Sequence, residues 1–170
     1  RFDEGRLLRH TVKKSPAPRL TLEDYSHLPD LSIVKRYLEN ASAQRRKGVN
    51  ILLYGVPGTG KTEFVRALAA ASGLDLFEVP TEDRSGEAIS GERRFRAYAL
   101  CQNLLGPRRR QMILFDEVED VFSSGRDLLT LLFGTFPKAD RSGLRKAWVN
   151  QTLEENPVPA FWLCNAIDML

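Results

Sequence analysis

The run Gly55-Val56-Pro57-Gly58-Thr59-Gly60-Lys61-Thr62 constrains this chain more than any other stretch. It follows Val49-Asn50-Ile51-Leu52-Leu53-Tyr54, a nearly continuous apolar segment that reads as a buried parallel strand. After it, Phe64, Val65, Leu68 and Ala69 fall on one face of a helix that stops at Ser72-Gly73. Strand, glycine-rich loop and helix in that order aim backbone N–H groups and the positive end of a helix dipole at one point, where a phosphate is the natural guest. The glycines supply conformations that residues with a Cβ resist. With Gly near 7% of average usage, a chance match in one chain of this length is on the order of one in a few hundred.

The rest of the chain repeats the alternation. Residues 1–20 mix charges with Ser15-Pro16-Ala17-Pro18 and read as an extended lead-in or linker, with structure expected from about Thr21. Leu31, Val34, Tyr37 and Leu38 recur at helical spacing before Gln44-Arg45-Arg46-Lys47-Gly48 closes the helix. Leu76-Phe77-Glu78-Val79 reads as a second strand, followed by a polar loop and a helix from about Gly91 to Leu105 that ends at Gly106-Pro107. Met112-Ile113-Leu114-Phe115 is a third strand, ending in Asp116-Glu117. A helix opened by Leu144-Arg145-Lys146-Ala147-Trp148 stops at Asn156-Pro157, and Ala160-Phe161-Trp162-Leu163-Cys164 is a fourth strand, ending in Asn165. Strands alternating with helices predict an α/β domain of three αβα layers with a mainly parallel sheet, whose strand C-termini share one edge. Gly55–Thr62, Asp116-Glu117 and Asn165 should converge there.

No apolar stretch approaches the ~18 residues of a membrane span. The opening Arg1-Phe2-Asp3-Glu4-Gly5 carries neither an initiating Met nor a secretory core, so the chain reads as starting mid-protein, without export. Cys101 and Cys164 sit in apolar patterns and read as reduced, buried thiols of a cytoplasmic protein. The net charge of +3 is mild, and Arg45-Arg46-Lys47, Arg93-Arg94 and Arg108-Arg109-Arg110 lie beside helix ends or turns, where solvated cations are common.

At the shared edge, Lys61 is placed to reach the β- and γ-phosphates of ATP and Thr62 to offer a hydroxyl to Mg²⁺. Asp116 suits the metal's hydration shell, and Glu117 can polarise a water for attack on the γ-phosphorus. An acidic pair there favours water over a substrate hydroxyl as the acceptor, against a small-molecule kinase. Asn165 could hydrogen-bond the γ-phosphate or the attacking water through its amide, or equally begin a turn.

These motifs resemble those of the AAA+ ATPases: Gly55–Thr62 is similar to their Walker A, Ile113-Leu114-Phe115-Asp116-Glu117 to Walker B, and Asn165 to sensor 1. The resemblance spans residues 21–170. It implies that Gly55, Pro57, Gly58, Thr59, Gly60, Lys61, Thr62 and Glu63 bind the nucleotide, that Thr62 and Asp116 serve the metal, and that Lys61, Glu117 and Asn165 serve hydrolysis. Asn150, in Trp148-Val149-Asn150-Gln151-Thr152-Leu153, resembles a recurring helix segment before the sensor strand, and Thr21-Leu22-Glu23-Asp24-Tyr25 looks like a lead-in strand, bringing Tyr25 near adenine. It further implies a homo-oligomeric ring, usually hexameric, in which ATP hydrolysis remodels a protein or nucleic-acid client. The alternative is an assembly module that works by nucleotide occupancy without turnover. The family's fifth strand, arginine finger and helical lid would lie beyond Leu170. A piece ending there should bind ATP more surely than hydrolyse it, with its Walker A strand left as an edge. Arg84–Gly91, where threading members carry an aromatic pore residue, holds none, and the apolar run Asp127–Phe133 is expected to pack against this domain.

Overall fold

The computed structural model describes residues 12–83, 85–106, 108–120 and 143–165. The run Asp127–Phe133 lies outside them, as does Arg84. Five strands are joined in one sheet: β1 (Lys13–Lys14), β2 (Asn50–Tyr54), β3 (Asp75–Glu78), β4 (Gln111–Phe115) and β5 (Ala160–Cys164). Their order across the sheet is β1-β3-β4-β5-β2. The β3–β4, β4–β5 and β5–β2 pairs are parallel, and β1 is antiparallel to β3.

Among the described residues four α-helices cover this sheet: α1 (Leu31–Ala43), α2 (Lys61–Ala71), α3 (Gly91–Leu105) and α4 (Gly143–Glu154). The buried runs Met112–Phe115 of β4 and Ala160–Cys164 of β5 need apolar residues on both sides, and their alternation sorts them into two cores. Met112, Leu114, Phe161 and Leu163 join Leu38 of α1 and Phe64, Val65 and Leu68 of α2 on one face. Ile113, Phe115, Ala160 and Trp162 join Phe95, Tyr98, Cys101 and Leu105 of α3 and Leu153 of α4 on the other. The chain is thus a three-layer αβα domain with a mainly parallel sheet.

Two expectations about the N-terminal segment are corrected. Residues 13–14 pair with β3, Ser15 N–H continues onto the Leu76 carbonyl at 2.9 Å, and Val12 is buried, so the fold already includes residues expected to be linker. Two lysines carry no hydrophobic pattern; they qualify as a strand only because the β3 edge offers unpaired backbone groups. Thr21–Tyr25 is not a strand: Leu22–Tyr25 forms a 3-10 turn. The Asp24 carboxylate accepts the Thr21 N–H at 2.8 Å and its hydroxyl at 3.1 Å, closing the turn as a capping box.

Among the described strands β2 has one partner, β5, and stands at the edge, as expected. Asparagines secure its start. Asn50 Nδ2 donates to the Leu153 carbonyl at 2.7 Å and to Asn156 Oδ1 at 3.1 Å, while its Oδ1 accepts the Trp162 indole N–H at 3.0 Å. Asn156, almost wholly buried, donates to the carbonyls of Val49 and Val158 at 3.2 and 2.7 Å.

Candidate functional site

The loop after β2 is built from backbone geometry. Gly58 and Gly60 have φ of +79° and +82°, the left-handed region where a Cβ is strained whatever the space around it. A Cβ on Gly58 would meet nothing within 4 Å, so the backbone angle, not crowding, calls for glycine there. Gly60 is the N-cap of α2, and its carbonyl accepts the Phe64 N–H at 2.8 Å. The first N–H groups of α2 therefore face the loop, with the dipole favouring an anion. Thr59 Oγ1 donates to the Val56 carbonyl at 3.0 Å across the turn. Lys61 Nζ donates to the carbonyls of Gly55 and Val56 at 2.8 and 2.9 Å, which fixes the ammonium at the loop. Gly55 N–H donates to the Cys164 carbonyl at 3.2 Å and ties the start of the loop to the end of β5, beside Asn165.

The first turn of α2 reaches the end of β4: Thr62 Oγ1 donates to Asp116 Oδ2 at 2.7 Å, and Asp116 Oδ1 accepts the Glu117 N–H at 2.9 Å. Glu117 is exposed, with φ of +53°, unusual for a residue with a side chain. Asn165 follows β5 and is half-buried; its N–H donates to the Glu119 carboxylate, so the acidic turn after β4 is tied to the end of β5. Lys61, Thr62, Asp116, Glu117 and Asn165, far apart in sequence, are thus gathered along one edge of the sheet. A hydroxyl and a carboxylate within hydrogen-bond reach form a hard-oxygen pair of the kind that holds Mg²⁺ together with waters and substrate phosphates. Among the described residues no group of three or more His, Cys, Asp and Glu side chains could hold a metal ion.

Tyr25 and Glu63 flank the loop. The Tyr25 ring is buried edge-on against Phe64 at 5.1 Å, with its hydroxyl 3.5 Å from the Gly60 carbonyl, beneath the loop. Burial, then the Glu63 and Asp24 carboxylates, raise its pKa. The Glu63 carboxylate accepts the N–H groups of Arg19 and Leu20, the latter at 3.1 Å, and lies 3.6 Å from Arg66. The Arg19 N–H above all holds its pKa below the ordinary carboxylate value. Arg66 also bonds Glu78 at 2.8 Å, so α2 is clasped to β3 and to the lead-in. Asn150 lies on α4, outside these contacts.

Arg94 departs from its sequence expectation. Grouped with Arg93 as a solvated cation, it is in fact wholly buried. It donates through Nη2 to the Asp116 carbonyl and through Nη1 to the Glu117 carbonyl at 3.1 Å, with its guanidinium 4.5 Å from the centre of the Phe115 ring. The signal was in the periodicity: Arg94, Tyr98, Cys101 and Leu105 fall on one helical face, and all are buried. Both cysteines are buried free thiols, as expected, and burial pushes that of Cys101 up to about 12. A cleft of about 770 Å³, lined by Arg45, Lys47 and Arg108–Arg110 among others, opens by the N-terminal ends of the strands and holds none of these groups.

The described residues include no helix long and apolar enough to cross a membrane. The model of the ATPase family associated with various cellular activities (AAA) matches residues 51–170. The chain is 35% identical over 90 residues to the ATP-dependent zinc metalloprotease FtsH 1 of Conexibacter woesei, covering 48% of this chain and 13% of that protein. It is 27% identical over 120 residues to the probable mitochondrial chaperone BCS1-B of Dictyostelium discoideum, covering 68% and 24%. It is 37% identical over 84 residues to the replication factor C large subunit of Thermococcus kodakarensis, covering 48% and 16%. The chain thus spans a quarter or less of the length of these relatives. With a glycine loop, an acidic strand end and a match over most of its length, this chain belongs to the AAA family of ATPases.

Proposed function

We propose that this chain is the nucleotide-binding core of an enzyme that hydrolyses ATP to ADP and phosphate to remodel a macromolecular client. The observation that carries the reading is the 2.7 Å hydrogen bond from Thr62 to Asp116, which brings the phosphate loop and the acidic strand end into one site. The N–H groups of Gly55–Thr62 cradle the phosphates, with Gly55, Pro57, Gly58, Thr59 and Gly60 shaping the loop and Glu63 at the first turn of α2. Lys61 exchanges its two carbonyl partners for β- and γ-phosphate oxygens. Thr62 and Asp116 would hold Mg²⁺, which would supply positive charge against the phosphates. Glu117 orients the attacking water and accepts its proton, and the Asn165 amide steadies the γ-phosphate or that water. Tyr25 supports the loop from below, near the nucleotide.

A homo-oligomeric ring, hexameric as in much of the family, suits such a core. Relatives named as a chaperone and as a replication factor subunit support a protein or a nucleic acid as the client. Two free buried thiols support a reducing compartment, the cytoplasm.

In the full-length protein, Glu117→Gln should retain ATP binding and lose steady-state phosphate release, by about 100-fold or more. Undiminished turnover would falsify the role of Glu117. Lys61→Ala should weaken binding of a slowly hydrolysed ATP analogue, read by calorimetry. Tight ATP binding by the wild type with no phosphate release would instead favour a module that acts by occupancy.

A further inference from the structure

We propose that Arg94 is a positioning residue for hydrolysis, which holds the Asp116-Glu117 turn in the one conformation that aims the Glu117 carboxylate at the attacking water. This rests on the reading of Glu117 as the base.

In an extended strand, successive carbonyls point to opposite sides, so one side chain cannot ordinarily bond two in a row. Here a single guanidinium takes the carbonyls of both Asp116 and Glu117. It can do so because the strand ends at Phe115 and the backbone turns through the left-handed region at Glu117. That conformation disfavours a residue with a Cβ and persists only where its surroundings enforce it. Three contacts do so. The Glu117 N–H is held by the Asp116 carboxylate, the Glu117 carbonyl by Arg94, and the next residue, Val118, is buried in the aromatic core.

Arginine suits the task for reasons lysine does not share. Its planar fork presents two N–H groups at a set spacing, and its flat face packs on Phe115, the residue that leads into the turn. The position is wholly buried, so the fork has no freedom to swing into solvent. Arg94 reaches the turn through the backbone carbonyls of Asp116 and Glu117.

The test is Arg94→Lys in the full-length protein, with kcat, nucleotide affinity and Tm measured together. The charge stays and the two-pronged geometry goes. We expect kcat to fall by about 10- to 100-fold, the scale of an ~1 Å misplacement, with the Kd for a slowly hydrolysed ATP analogue within about 3-fold. A kcat within about 2-fold of the wild type overturns the proposal, as does a parallel fall in kcat and affinity, which marks a merely structural part. If Arg94→Lys does not fold, Phe115→Leu removes the ring beneath the guanidinium; a several-fold fall in kcat at unchanged Kd supports the proposal, and an unchanged kcat overturns it. Glu117→Gln separates the two readings: if it abolishes turnover while Arg94→Lys does not, only the role of Arg94 falls, and if it leaves turnover intact, the reading of the base falls first.

Discussion

The two faces of the sheet are built by different means. On the α1–α2 side the core is mostly aliphatic, with Leu38, Val65, Leu68, Leu74 and Leu163 around the small Ala67 and Ala69. On the α3–α4 side it is aromatic, with Trp162 stacked on Phe115 at 5.0 Å and tilted on Tyr98 at 4.7 Å. The aromatic side also holds buried polar groups. Gln102 donates to Val158 and Tyr98 and accepts the Val158 N–H, all at 2.9 Å, and Asn156 and Arg94 bind backbone carbonyls. The loop after β2 thus depends on main-chain angles above the Tyr25–Phe64 pair, whereas the acidic turn depends on side chains that reach across the aromatic core. The same edge of the sheet is held from one side by conformation and from the other by directed hydrogen bonds.

The sharpest way to break that contrast is to remove the centre of each core. Trp162→Ala should cost about 3–5 kcal/mol in chemical denaturation, and Leu68→Ala about 2–5 kcal/mol. Because Trp162 also holds Asn50, its loss should slacken β2 as well, seen as faster amide exchange from Ile51 to Leu53. Equal exchange in the two variants would undo the distinction.

Next in size is Asn156→Ala, which removes two donated bonds and the acceptor for Asn50. A loss of about 1–3 kcal/mol is expected from denaturant melts, and a neutral result would mean that the buried polar groups do not anchor this face.

On the loop, Gly60→Ala should cost only about 1–2 kcal/mol of stability, because its Cβ would approach just Tyr25 Oη, at 3.6 Å, and the penalty is in the backbone angle. Affinity for an ATP analogue should fall by more than that stability change implies. Proportional losses would mean that the loop is not held by its backbone conformation.

The smallest effect concerns Glu63. Its pKa in the folded chain lies below the ordinary 4.5, chiefly through the Arg19 N–H, so its contribution is complete above about pH 4.5 and fades as the pH falls through the folded value. Glu63→Gln should therefore melt lower than the wild type at pH 7, with the gap narrowing in acid. A gap that does not change with pH would remove the carboxylate from the clasp.

Much of this architecture was legible because the chemistry and the pattern coincide. The runs at β2, β4 and β5 are apolar on both faces, as a parallel sheet requires, and Gly58 and Gly60 stand where only glycine sits easily. Other features left no trace that a linear reading could weigh. Lys13 and Lys14 become a strand through what lies beside them in space, and the Thr21–Asp24 cap overrides a segment that reads equally well as extended. Arg94 was misjudged because its class is nearly always solvated, although its helical position matched the buried stripe. That Thr62 and Asp116 share one edge follows from the alternation of strands and helices, whereas their 2.7 Å hydrogen bond is a detail of side-chain geometry that no linear pattern carries.

The pairing of β2 has a consequence in time. Asn50 lies opposite Ala160, about 110 residues further along the chain, and β5 is its one partner among the described strands. Long-range parallel pairing is slow, because a large loop must close before any contact rewards it. A ribosome adding about 5–20 residues per second needs roughly 5–20 s to travel from one strand to the other. Through that interval the phosphate loop exists as sequence without a seat, and its hydrophobic strand is open to chaperones or to misassociation until β5 arrives.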